Sequence, residues 1–210
     1  MQIVFKTNQH PYDYAEPDPH DDTAEGSKFC GVYPDAPSKC PFKDCGINIK
    51  MKKHGFYTRY LLTLIFAGKI KIRRYICEKC MHTVSMLPSF CLSQYIYGLD
   101  LIIELMSHAL REKSISGTVK KFNKTFNCIT IKQIKQYLNR LRRNRKLIQY
   151  GFNQISPGII KNDDSPGDIE WTRRILTGKR PILTPESNAD FHKATGKSFM
   201  SMHNKIAQSV

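Results

Sequence analysis

Two pairs of closely spaced cysteines restrict this chain more than any other feature: CPFKDCG, starting at Cys40, and CEKC, starting at Cys77. Zinc held by four thiolates needs sulfurs that converge as a tetrahedron, and two tight knuckles supply them two at a time. Pro41 fixes φ on entry to the first knuckle, and Gly46 permits a positive φ on leaving it. The seven cysteines cannot all pair within one chain, and in a reducing compartment close pairs favour metal over disulfide. The spacing therefore predicts one structural Zn2+ on Cys40, Cys45, Cys77 and Cys80, its shell closed to catalytic water. Folding of so small a module would depend on the metal. The first pair is separated by four residues where two is usual, and Met81 stands where glycine often follows the second pair. Cys30, His54, His82 and Cys91 lie nearby and read as packing or surface residues.

Between the knuckles the texture is β. GFYTRYLLTLIF and IKIRRYIC, joined around Gly68, predict a hairpin that brings the chain back to its start, the geometry of a zinc ribbon. Lys69, Lys71 and Arg73 alternate with Ile70 and Ile72, so a period of two places cations on one face and isoleucines on the other. After Pro88 the period becomes helical, with Leu99, Ile102, Ile103, Met106, Ala109 and Leu110 on one stripe. A short helix follows in SGTVKKF, capped by Ser116, with Val119 and Phe122 inward. The strongest helix is TIKQIKQYLNRLRRNRKLI: Thr130 and Gln133 form a capping box, and Ile131, Ile134, Leu138 and Leu141 make the apolar stripe.

Outside these elements, PYDYAEPDPHDDTAEGSKFCGVYPDAP reads as an acidic, loosely ordered arm after a short strand at residues 3–5. The stretch after the basic helix is broken by prolines and glycines, and only DIEWTRRILTG predicts a helix, between an Asp168 cap and a Gly178 stop. The expected class is α+β, a small β zinc ribbon followed by a helical, helix-turn-helix-like module. Its parts are an acidic arm (1–38), the ribbon (39–92), a basic helical module (95–152) and a loop-rich tail (153–210).

Charge separates the same parts. The net +15 divides into −5 over residues 1–38, +18 over 39–150 and +2 over the remainder. A concentration of that kind makes a polyanion the expected partner, through phosphate contact and counterion release. The alternative is a solvated basic face with no specific partner. MQIVFKTNQHPYDY lacks the basic head and apolar middle of a secretory signal, and no run of about 18 apolar residues occurs. The chain thus reads as soluble and cytoplasmic, with no membrane partner.

The run HGFYTRYLLTLIFAGKIKIRRYICEKCMHTVSMLPSF, preceded by CPFKDCG, resembles the zinc ribbon that opens many bacterial insertion-sequence transposases, and a group of transposase-associated zinc-ribbon proteins. The resemblance rests on the first Cys pair, His54, Gly55 and Tyr57, the Gly68 turn, IRRYICEKC and LPSF, and covers about a quarter of the chain. It implies a helix-turn-helix-like segment after the ribbon, recognition of transposon-end DNA and a bacterial, nucleoid-associated protein. The downstream nuclease domain of such transposases, in which separated carboxylates hold two metal ions, has no counterpart here: only about 60 residues follow the basic helix. Asp163, Asp164, Asp168 and Glu170 crowd into one Pro/Gly-rich stretch and read as a solvated loop.

The leading expectation is a non-catalytic DNA binder. The helix from Thr130 would enter the major groove with Lys132, Lys135, Gln136, Asn139, Arg142 and Arg143 towards DNA, while Lys69, Lys71, Arg73 and Arg74 of the ribbon touch phosphate. One alternative is an RNA-binding or protein-interaction ribbon, in which Phe56, Tyr57, Tyr60 and Tyr75, interleaved with Arg59, Arg73 and Arg74, stack unpaired bases. Another is a subunit or fragment of a transposase or nuclease, for which the sequence offers no catalytic constellation. The acidic arm is expected to fold back on the basic middle and suppress nonspecific binding.

Overall fold

β-Branched and aromatic residues form the expected hairpin as half of a larger sheet, but its turn falls at residues 63–66, closed by the Thr63 amide on the Phe66 carbonyl, and Gly68 lies within the second hairpin strand opposite Leu61. The computed structural model describes residues 1–17, 29–160, 167–177 and 182–201. The chain divides into two units, Met1–Gly98 and Leu99–Val210, a mixed α+β arrangement. The first holds four strands: β1 (Gln2–Phe5), β2 (Lys52–Leu62), β3 (Ala67–Ile76) and β4 (Thr83–Pro88), in the order β1-β4-β3-β2. β2 and β3 are antiparallel, with Tyr57 opposite Ile72 and Tyr60 opposite Lys69, and the register shifts at a bulge between Lys53 and Phe56. β4 pairs antiparallel with the second half of β3, and β1 lies parallel to β4, Ile3 opposite Met86.

The N-terminal segment is not a loose arm where it is described. Pro11–Tyr14 forms a 3-10 turn, and Tyr14 is fully buried. The Tyr14 hydroxyl donates to the Val32 carbonyl at 3.0 Å and shares a 3.0 Å hydrogen bond with the Thr7 hydroxyl. Ala15 then bridges to Ile70, and the Glu16 amide donates to the Lys69 carbonyl at 2.8 Å. These contacts cover the first half of the β3 edge, which β4 is too short to reach. Tyr33 donates to the Lys71 carbonyl and Tyr75 to the Pro34 carbonyl, so residues 29–37 also lie on the sheet. The segment has no period because its aromatics are spaced to fill gaps rather than to line an element. Most of its acidic charge falls in 18–28, outside the described residues, as does the expected fold-back of the arm.

The second unit contains α1 (Leu99–Arg111), α2 (Ile115–Phe122), α3 (Ile131–Arg143), α4 (Arg145–Ile155), α5 (Asp168–Thr177) and α6 (Pro185–Thr195). α1 is buried more widely than its stripe predicts, including Leu101, Leu105 and His108. α2 begins two residues earlier than expected: Ser114, not Ser116, accepts the Gly117 amide. Thr118 donates its hydroxyl proton to the Ser114 carbonyl at 2.8 Å, so the buried His108 Nδ1, 2.9 Å away, is the donor to Thr118. The long basic helix is two helices. Its chain turns at Asn144, a buried residue whose amide donates to the carbonyls of Phe199 and Ser201 at 2.7 and 2.9 Å.

Where it is described, the tail is largely helical rather than loop-rich. α5 places Trp171 fully buried, with Arg145 5.4 Å above its ring. α6 starts with a capping box of Thr184 and Ser187 and ends at Gly196, whose φ is +66°. α6 packs on α4 through Gly151, where an added Cβ would stand 2.3 Å from Phe191 Cε2. Gly178, the expected stop of α5, lies outside the described residues. Among the described residues, no helix is long and apolar enough to cross a membrane.

Because Tyr14 fills the sheet unit and satisfies two polar partners, Tyr14→Ala should destabilise metal-loaded protein by about 3–5 kcal/mol, and Tyr14→Phe by about 1 kcal/mol. Denaturant titrations of the two variants check this; an effect of Tyr14→Ala no larger than that of Tyr14→Phe would make the arm dispensable.

Candidate metal centre and basic groove

The register of the hairpin places the two knuckles side by side. Lys52 stands opposite Ile76, so the chain leaving the first knuckle through Met51 passes the residue that enters the second. Each knuckle is closed by its own amides. The Cys45 and Gly46 N–H groups both donate to the Phe42 carbonyl, at 3.0 and 2.8 Å, while Met81 donates to the Cys77 carbonyl at 2.8 Å. Cys40 and Cys77 are tied back by amide bonds to Ile47 and His82, both 3.0 Å. The rings of Phe42 and His82 stack at 4.5 Å, one from each side of the site.

All four sulfurs, those of Cys40, Cys45, Cys77 and Cys80, lie within 4.8 Å of one another. Cys40 and Cys80 are 3.7 Å apart, and Cys45 and Cys77 3.8 Å. A tetrahedral ion with metal–sulfur bonds of about 2.3 Å requires sulfur–sulfur separations of about 3.8 Å. The four thiols thus already stand at the corners of a metal site. Of the nearby spare residues, Cys30 and His54 are exposed and Cys91 is buried elsewhere, none of them in the cluster.

Electrostatics within the cluster is uneven. Burial pushes the Cys40 thiol up to about 12. The Cys80 amide, opposed by burial and helped by the Lys79 amide, pulls the Cys77 thiol down to about 7. Both knuckles end in the left-handed region, Gly46 at φ +52° and Met81 at φ +58°. Glycine adopts that conformation without strain; Met81, 66% exposed, does not.

The expected nucleic-acid residues separate into groups. On β3, Lys69 is exposed, but Lys71 and Arg73 are half-buried beneath the N-terminal segment. Arg73 Cζ lies 3.6 Å over the Phe56 ring and Lys71 Nζ 5.9 Å over Phe29. Arg74 is on the opposite face of the strand, 5.8 Å over Tyr57, with its Nε buried. The four ribbon cations do not form one open stripe, because aromatic rings occupy the face that period-two reasoning left bare.

On α3 a single surface emerges. Lys132, Lys135, Gln136, Asn139 and Arg143 line one groove of about 870 Å3 with Ile131, Arg140, Asn144 and Ser201. Its floor consists of two adjacent i, i+4 rows, 132–136–140 and 131–135–139–143. Arg142 belongs to the row of Ile134 and Leu138, which faces the core, so it is half-buried and outside the groove. Arg140 completes the first row and was missed, although its spacing from Lys132 and Gln136 was visible. Ile131 was assigned to the core and is instead 43% exposed in the groove; Tyr137 takes its place inside. The expected capping box is present: Thr130 Oγ1 accepts the Gln133 amide and Gln133 Oε1 accepts the Thr130 amide. α2 and α3 are joined by a loop in which Asn123 exchanges two 2.8 Å hydrogen bonds with the Ile129 backbone.

The acidic residues expected in a loop stand partly on a helix. Asp168 and Glu170 open α5, where Asp168 pairs with Arg145 at 3.2 Å and Glu170 with Arg173 at 2.9 Å. Asp163 and Asp164 fall outside the described residues.

Thiolates must lose their protons to bind metal, so acidification from about pH 7.5 to about pH 5.5 should weaken zinc or cobalt binding steeply. Competition with a chromophoric chelator measures this, and a pH-independent affinity would remove the four-thiolate assignment. At the second knuckle, Met81→Gly should stabilise the metal-loaded protein by about 0.5–1 kcal/mol, relief of strain exceeding the added freedom of the unfolded chain; a loss of stability in chemical denaturation would contradict that account.

No family model, curated protein or solved structure matches the chain.

Proposed function

We propose that this chain is a zinc-dependent, non-catalytic DNA-binding protein: a zinc ribbon followed by a helix-turn-helix-like module whose third helix enters the major groove. The observation that carries the reading is the α3 groove. Four cations, Lys132, Lys135, Arg140 and Arg143, line it together with the amides Gln136 and Asn139, and among the described residues no carboxylate does. Such a surface supplies phosphate contacts at its rim and base-edge donors and acceptors along its middle. The helix is rigidly backed, with Ile134, Tyr137, Leu138 and Leu141 buried beneath it. A recognition helix needs that support if side chains are to meet base edges in a fixed register.

Zinc is the metal this donor set favours, since four thiolates with no oxygen or nitrogen ligand suit a soft, tetrahedral, redox-inert ion. With all four positions taken by sulfur, the ion's task is structural. The resemblance to the DNA-recognition part of bacterial insertion-sequence transposases agrees in order, ribbon and then basic helices. It also sets this chain apart from the nuclease, whose carboxylates have no equivalent in Asp168 and Glu170, each paired with an arginine. Duplex DNA is favoured over unpaired bases because three of the four aromatics that would stack them are engaged, Tyr60 alone of the four standing 50% exposed. Phe56 packs on Phe29 and Tyr33, Tyr75 is buried, and Tyr57 lies beneath Arg74.

With four groove cations on phosphate, log K for duplex binding should fall against log salt with a slope of about −3 to −4, and Lys135→Ala with Arg143→Ala should reduce its magnitude by about two. Fluorescence anisotropy across a salt series, on protein of measured zinc content, tests both. A slope near zero, or iron in place of zinc, would defeat the proposal.

A further inference from the structure

Resting on the reading of α3 as the duplex-binding helix, we infer that Ile131 is a specificity residue that meets the 5-methyl group of thymine in the major groove. It is the apolar side chain among the residues that line the groove; the others, from Lys132 to Ser201, are polar or charged. A helix that needed only phosphate contact would have no use for an isoleucine there, 43% exposed beside lysines. Ile131 also heads the row Lys135, Asn139 and Arg143 at the N-terminal end of α3, and that end of a recognition helix is the one that reaches base edges.

The first turn is arranged for base contact more than for phosphate capture. Two of its backbone amides, those of Thr130 and Gln133, are already held by the capping box. The isoleucine is β-branched and restricted to one main rotamer in a helix, so contact costs it little side-chain entropy. Thymine presents the major groove with an apolar group that cytosine and the purines lack. Gln136, about one turn further along the same groove, carries the amide suited to adenine N6 and N7. The two side chains together select A·T pairs. Uracil has no 5-methyl group, so the same contact separates DNA from RNA.

The test alters the DNA and leaves the protein intact. Duplexes are enriched from a random-sequence pool with the zinc-loaded full chain, and each thymine of the enriched site is then replaced singly by deoxyuridine, which removes only the methyl group. One or two such replacements should weaken wild-type binding about three- to fivefold, while Ile131→Ala binds thymine and deoxyuridine duplexes equally and keeps the wild-type salt slope. Duplex binding that persists with every deoxyuridine tolerated, or an enriched site without thymine, overturns the inference and leaves the duplex reading standing. Absence of duplex binding at low salt removes both.

Discussion

Four sulfurs converging on one point organise the sheet unit. Cys40 and Cys45 sit on a loop whose backbone hydrogen bonds are local, the Cys40 amide going to Ile47 in the same turn, and which meets the second knuckle through Phe42 on His82 and through the sulfurs. Cys77 and Cys80 continue directly from β3, the best-paired strand of the sheet. A metal ion bound there would tie the loop that carries the first pair to the strand that leads to the second, next to the start of β2. Without an ion, four thiols, two of them buried, stand as close as 3.7 Å to one another, a poor exchange for the chain entropy spent in gathering them. The strain at Met81 belongs to the same constraint, because only a left-handed residue lets the chain turn away after the second pair of sulfurs.

In the helical unit the corresponding constraint is the division of α3 between two pairs of i, i+4 rows. Rows through Ile134 and Tyr137 hold the helix on its core, and the opposite rows carry the charge. Thirteen residues with no acid would be a poor isolated helix, since Lys132 and Lys135, and Arg140 and Arg143, stand as like-charge i, i+3 pairs. Burial of the inner rows and the capping box offset that repulsion. Asn144 ends the helix and holds the chain at residues 199–201 against its last turn, so the C-terminal stretch contributes to the groove as well as to the core.

The cations of the two units are placed differently. Ribbon cations that alternate with isoleucines in sequence are spent largely on aromatic rings: Arg73 on Phe56, Arg74 on Tyr57, Lys71 on Phe29. Such stacking retains the charge but restricts its reach, leaving α3 as the surface where cations and amides stand together.

Much could be read from local chemistry alone. The knuckles, the hairpin between them, the Thr130–Gln133 cap and the α+β class follow from spacing and short-range geometry, which depend on neighbours a few residues away. α6 could have been read too, from Thr184, Pro185 and Gly196, but its few buried positions gave no period to notice. Other features needed the folded chain. Ile131 satisfies an i, i+3 core stripe and an i, i+4 groove row equally well, and only packing chose the second. Phe29, Tyr33 and Tyr14 have no periodic spacing, and their burial is set by gaps in a sheet built from residues far along the chain. The sequence determined which residues could hold a metal and which helix carries charge, because those are properties of side chains in sequence order. Tertiary structure decided which cations remain open and which aromatics cover the others, since that depends on non-local packing to which no local period corresponds.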